Sequence, residues 1–390
     1  MPFDPEAPLP GAPDPWAGSS MPALRDGPPY AMTEMIAAEP ALAERLARRL
    51  GADQAVARLA ADLRAAAEAG EPILTTGCGT SEHAAMVVAA LLVDALRSEG
   101  SSEPWLSSAQ AFELAARPPA SGVVLGISHE GGTPATNDAL QAAAAAGAAT
   151  ALITVSERSP GAAIVDAVIT TDEQDQSWCH TVGYLSPIVT GAALGMALRR
   201  ASLDPIAVRA LVDAADDAPG TEAVAATFAG CTRLLVVGSG LDYPAARELA
   251  LKIEEGAHLP TVAHQLETIR HGHLAAADAQ TGLVAILTDA DGRGSALVER
   301  TISVLRAAAA LGMPAAAIVA ADLGDDVPAE LTPAGRLAVP VTERLPRTIA
   351  ASLGSARPLQ LLAERLARAR GVNPDPIGRD DPRHAAAADA

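Results

Sequence analysis

The chain has 390 residues and a formal net charge of −19, so no basic stripe exists to neutralise a nucleic-acid backbone, and a nucleic-acid partner is excluded. Hydrophobic residues make up 49% but aromatics only 2%, so Ala, Leu and Val must fill the cores of what is long enough to be two domains. No apolar stretch reaches the roughly 18 uninterrupted residues of a membrane span, no basic-then-apolar leader opens the chain, and Cys78, Cys179 and Cys231 have neither disulfide nor zinc spacing. A cytoplasmic protein without a membrane partner, metal or cofactor is expected.

Residues 1–28 are rich in Pro, Gly and Asp and read as an arm, flexible and disordered or docked at the periphery. Residues 29–50 (PYAMTEMIAAEPALAERLARRL) predict an N-terminal helix, and a second helix follows from about 52 to 69. Residues 51–203 predict a first α/β domain. It reads as strand 72–76, turn Gly77–Ser81, helix 82–98, strand 122–127 and the loop Ser128-His129-Glu130-Gly131-Gly132-Thr133. A helix over 134–146 then has Thr133 as N-cap and Pro134 as its first residue. Strands 149–155 and 167–171 and a helix (SPIVTGAALGMALRRA) ending near Ser202 complete it.

Residues 204–221 read as a linker, a helix and then a turn ending DAADDAPG. The second domain, 222–371, repeats the plan: strand 233–237, Gly-rich turn, helix 243–257, strands 261–264 and 282–288, helix 295–311, strands 314–319 and 336–341, and a last helix over 346–370. Residues 372–390 form a turn-rich, then low-complexity tail. Alternating strands and helices imply α/β architecture, each half a parallel sheet with helices on both faces in three layers; the duplication is the main internal repeat.

Two stretches carry candidate chemistry. In Ser128–Thr133, consecutive amides, two glycines, flanking hydroxyls and a helix N-terminus favour an anion, and Thr80 and Ser81 in the neighbouring turn add hydroxyls at a parallel sheet's carboxyl edge. The plain alternative is a turn that only makes the bend. Lys252 is the sole lysine among 28 basic residues; unlike arginine it can lose its proton or form an imine. Glu255, three residues on, shares its helix face and is a candidate general base, and His271 a candidate acid. The structural alternative is a solvated face on which Glu248 and Lys252 form a weak ion pair. His180, in WCHTVGY, has no partner nameable from spacing.

The pieces PYAMTEMIAAEP, GCGTS, ISHEGGT, GSGLDYPAARELALKIEE, IRHGHLA, PLQLLA and DDPRH occur in this order between Pro29 and His384. In them the chain resembles the sugar isomerase (SIS) superfamily, and within it the tandem-SIS isomerase half of glucosamine-6-phosphate synthases. The resemblance implies two flavodoxin-like SIS domains and a phosphorylated sugar or amino sugar as ligand. The phosphate pocket would use Ser81, Ser128, His129 and Thr133, closed on one side by the loop around His180 and Thr181. It implies Glu255 as enolisation base with Lys252 beside it, and His271 as a ring-opening histidine lent by the other subunit of a homodimer. The activity implied is aldose–ketose isomerisation or deamination through an enediol or enolamine, with a non-catalytic sugar-phosphate sensor as the alternative.

Three departures qualify the resemblance. The chain opens Met1-Pro2-Phe3 without an N-terminal cysteine, so no glutaminase activity is expected. Glu130 stands where the family usually has serine, and its carboxylate would repel a phosphate dianion by on the order of a few kcal/mol; either Glu130 turns outward or the ligand is not an ordinary sugar phosphate. Ala387 stands at the family's tail lysine, so an imine with substrate must use Lys252 or be absent.

Overall fold

A computed structural model describes residues 3–99, 104–216, 218–289 and 292–389. The chain divides into two compact units. Unit 1 comprises Met1–Ser20, Ala38–Asp175 and Val182–Ala210, and unit 2 comprises Met21–Ala37, Gln176–Thr181 and Leu211–Ala390. The expected domains 51–203 and 222–371 were drawn as contiguous pieces. The observed division differs, because residues 21–37 and 176–181 group with unit 2.

The elements up to the first sheet's last strand are α1 (Ala31–Leu50), α2 (Gln54–Glu68), β1 (Ile73–Gly77), α3 (Thr80–Ser98), β2 (Leu106–Gln110), α4 (Ala111–Ala116), β3 (Val123–Ile127), α5 (Pro134–Ala146), β4 (Ala149–Thr154) and β5 (Ala167–Thr170). α6 (Val182–Leu198) and α7 (Pro205–Ala214) follow. Asp53 caps α2 by accepting from the amide of Ala55, and Val56, Leu59, Ala60, Leu63 and Ala66 form its buried face at helical spacing. α6 is buried almost all round. It packs on α3 so closely that a Cβ on Gly191 would lie 2.6 Å from Val88.

The second series is α8 (Ala218–Phe228), β6 (Arg233–Val237), α9 (Asp242–Ala257), β7 (Thr261–His264), β8 (Thr281–Leu287), α10 (Ser295–Ala310), β9 (Ala315–Ala320), β10 (Gly335–Val339), α11 (Arg347–Ala369) and α12 (Pro382–Asp389). All pairings in both sheets are parallel. Strands β3, β8 and β9 are buried throughout, as strands covered on both faces must be. The strand orders are β2-β1-β3-β4-β5 and β10-β9-β8-β6-β7. Read from β7, the second order is the first one repeated, the flavodoxin-like 2-1-3-4-5 arrangement. Among the described residues no helix is long and apolar enough to cross a membrane.

Four expectations need correction. β2 and α4 were not anticipated. The supposed linker turn DAADDAPG is largely helical: α7 runs to Ala214, residue 217 lies outside the described residues, and Pro219 and Gly220 sit in the first turn of α8, where proline is tolerated. Thr133 occupies the N-cap position of α5 but its side chain makes no cap bond; its hydroxyl is instead 3.4 Å from that of Ser128. The tail ends in the short helix α12. Of the two alternatives for the arm, docking describes residues 4–19. Leu9 donates its amide to Glu173, Pro10 accepts from the amide of Gln174, and Arg158 reaches Asp14.

Candidate active site

In unit 1 the strand order reverses between β1 and β3, and ligands of open α/β sheets bind at the carboxyl ends of such strands. The β1–α3 turn brings half-buried Ser81 there; Thr80 is buried as the first residue of α3. The turn is tight, since a Cβ on Gly77 would meet the Ser81 backbone at 2.7 Å. After β3 the loop folds on Ser128, whose hydroxyl and carbonyl both accept from the amide of Gly131. Gly131 has φ +72°, and any side chain there would collide with Ser159 and Thr154. The amides of Glu130, Gly132 and Thr133 donate to no oxygen among the described residues. Ser128 is buried and Thr133 exposed. These residues frame a cradle of donors at the N-terminus of α5.

The side chains of His129 and Glu130 are engaged elsewhere in unit 1. His129 is buried, and its Nε2 accepts from the amide of Asp175 at 2.9 Å. Its carbonyl accepts from Thr154 Oγ1 and the amide of Val155. It thereby braces the loop from within. The Glu130 carboxylate accepts from the Ser19 amide at 3.2 and 3.3 Å and from Gln174 Nε2 at 3.4 Å. Of the two readings of that departure, Glu130 is turned to the arm.

At the same place in unit 2 the chain's own carboxylates take up backbone amides. A Cβ on Gly238 would meet the Asp242 backbone at 2.4 Å, so Asp242 stands where Ser81 stands in unit 1, four residues past the turn glycine. The buried Asp242 carboxylate takes the amide of Thr288 at 2.9 Å and its hydroxyl. In the loop after β8, Asp289 takes the amides of Arg293 and Gly294. Arg347 binds the carbonyls of Thr288 and Asp289. No sequence motif flagged Asp242; its place opposite Ser81 in the duplicated turn was the available signal.

On α9, Lys252 and Glu248 are fully buried. The ammonium contacts Glu255 directly and lies 3.8 Å from Glu248, while the Glu255 side chain keeps 23% exposure. The solvated-face alternative is therefore wrong for Glu248 and Lys252. Burial pulls the Lys252 pKa down, but the carboxylates of Glu255 and Glu248 outweigh it and hold the group above the ordinary lysine range. A buried, strongly held ammonium is a poor imine former, because imine formation needs the free amine. From segment 176–181, the Cys179 thiol reaches the Lys252 carbonyl at 3.9 Å. Thr181 is fully buried, and its carbonyl accepts from Gln360 Nε2 at 3.1 Å. His271 is 71% exposed and pairs with Glu267 at 2.9 Å, separate from the Lys252–Glu255 pair in its bonding.

Fold and residues together define a protein of two tandem α/β units. The SIS domain family model matches residues 68–199 and 227–323, more than half of the chain, and the chain belongs to that family. It is 29% identical over 325 residues to a glutamine–fructose-6-phosphate aminotransferase (isomerizing) of Gloeobacter violaceus, covering 78% of this chain and 50% of the relative. The chain thus spans about half the length of that curated relative. The solved C-terminal domain of glucosamine-fructose-6-phosphate aminotransferase from Francisella tularensis superposes with a TM-score of 0.75 at 20% identity, covering 90% of this chain and 99% of that one. Tagatose-6-phosphate ketose/aldose isomerase from Escherichia coli gives 0.68 at 17%, covering 92% and 98%.

Proposed function

We propose that the protein is a phosphosugar isomerase or deaminase that moves a proton between C1 and C2 of a phosphorylated sugar or amino sugar. The observation carrying this reading is that the amides of Glu130, Gly132 and Thr133 have no acceptor among the described residues, whereas Arg293 and Gly294, which precede α10 as Gly132 and Thr133 precede α5, donate theirs to Asp289. The cradle takes the phosphoryl group, with Ser81, Ser128 and Thr133 adding hydroxyls. Glu255, partly exposed and oriented by the buried Lys252 ammonium, takes the proton from the carbon next to the carbonyl or imine. Electrons of the broken C–H bond form the C1–C2 double bond while the carbonyl or imine π pair moves to its oxygen or nitrogen, which takes up a proton, giving an enediol or enolamine. Return of the proton to the neighbouring carbon completes an isomerisation. With an amino sugar, the enolamine becomes an iminium that water splits into ketose and ammonia. Lys252 is a positioning residue, because its charge is fixed by burial between two carboxylates. His271, exposed at the surface, is proposed to serve ring opening in a second copy of the chain.

Proton–deuterium exchange at C2 of glucosamine 6-phosphate, or at C1 of fructose 6-phosphate, tests this. Wild type exchanges, and Glu255→Gln lowers the rate by about 100-fold or more. Exchange that survives the substitution removes Glu255 from the base role. Stabilising ligands that never exchange would instead make the protein a sensor.

A further inference from the structure

The arm meets unit 1 at the cradle loop itself. The Trp16 indole nitrogen donates to the Glu130 carbonyl at 3.2 Å, and the ring lies so close to Gly132 that a Cβ there would be 3.0 Å from it. The Ser19 amide binds the Glu130 carboxylate, and Gly18 lies alongside it. Upstream, Arg158 holds Asp14 and the carbonyls of Ala12 and Pro13. Segment 173–175 completes the network: Glu173 and Gln174 hold the arm, Gln174 also holds Glu130, and the Asp175 amide holds His129. A carboxylate in an anion-binding loop works against the anion unless something fixes it elsewhere.

We infer that residues 14–19 of the arm are part of the anion site: Trp16 and Ser19 are positioning residues that hold the Glu130 carboxylate on the arm and so permit a phosphoryl group in the cradle beside it. The inference rests on the reading of the Ser128–Thr133 loop as a phosphate cradle. It adds that affinity for the phosphorylated ligand is set in part by a segment with no helix or strand and more than a hundred residues away in sequence. It also gives Glu130 a function, since its carboxylate and its carbonyl both anchor the arm.

The test is calorimetric titration of the full chain with glucosamine 6-phosphate and with inorganic phosphate, as wild type, Trp16→Ala, Trp16→Phe, Glu130→Gln and the Trp16→Ala/Glu130→Gln double variant. Trp16→Ala is expected to weaken both ligands by on the order of tenfold. Trp16→Phe, which keeps a ring over Gly132 but loses the indole N–H, falls between. In the Glu130→Gln background no charge remains to be held, and Trp16→Ala costs less than about twofold. Hydrogen exchange at the Ser19 amide slows on adding either ligand, because the coupling is reciprocal. Unchanged affinity in Trp16→Ala, or the same loss with and without the Glu130 charge, overturns the inference and leaves the cradle reading intact. If neither wild type nor Glu130→Gln binds either phosphorylated ligand, the cradle reading falls, and the role of the arm with it.

Discussion

The two sheets share one strand order and one tight glycine turn, yet their switch points have opposite chemistry. In unit 1 the turn offers the Ser81 hydroxyl, and in the loop after β3 the amides of Glu130, Gly132 and Thr133 find no acceptor among the described residues. In unit 2 the turn offers the Asp242 carboxylate, and Asp289 ties up the loop. Duplication gave both halves the geometry for an anion at a strand–helix junction; side chains decide whether the anion is a ligand or an internal carboxylate. The helices that follow the turns diverge in the reverse sense. α3 buries Val87, Val88, Leu91 and Leu92, whereas α9 buries Glu248 and Lys252. The loop with unengaged amides lies in one half and the buried Lys252–Glu255 pair in the other.

The largest expected effect comes from the charge cluster on α9. Lys252→Met removes the cation beside buried Glu248 and partly exposed Glu255, and should destabilise unit 2 by about 3–5 kcal/mol, read as a drop in the urea midpoint. A loss below about 1 kcal/mol would show that solvent reaches the cluster. Next, Ser81→Asp should turn the unit 1 junction into one of the unit 2 kind. Affinity for phosphorylated ligands is expected to fall by on the order of 100-fold with little change in melting temperature. Undiminished affinity would place the anion elsewhere. The converse change, Asp242→Ser, frees the amide of buried Thr288 and should cost about 1–3 kcal/mol of stability.

The smallest effect is a pH dependence in unit 2. Burial, then the charge of nearby His273, lowers the His264 pKa, and the two rings lie 4.0 Å apart. A depressed folded pKa means that the unfolded chain takes up the proton first. Stability is then full above the ordinary histidine range and lost as pH falls through it. His264→Gln should flatten the decline in melting temperature between about pH 7.5 and 5.5; an unchanged slope would assign that decline to other groups, such as His258.

Most of the fold was legible in the sequence because β3, β8 and β9 are buried, largely apolar runs, β1 and β6 run into the turn glycines Gly77 and Gly238, and α5 opens on Pro134. β2 escaped because LSSAQ is a half-buried edge strand with neither a continuous apolar run nor clean alternation. The start of α8 escaped because Pro-Gly reads as a turn until tertiary packing makes it a helix start. At the site, the cradle loop was legible from its glycines and hydroxyls. The burial of Lys252 was not, since Glu–Lys spacing looks the same on a wet face as on a dry one. Nor was the docking of Trp16 and Ser19 on Glu130, because contacts so distant in sequence leave no local pattern.

The most direct test follows backbone amides one by one while inorganic phosphate is added to the full chain. Protection from hydrogen exchange, or a shift in resonance, is predicted at Glu130, Gly132 and Thr133, with Arg293 and Gly294 unmoved. Effects at the second pair, or at neither, would contradict the assignment of the anion site to the first half of the molecule.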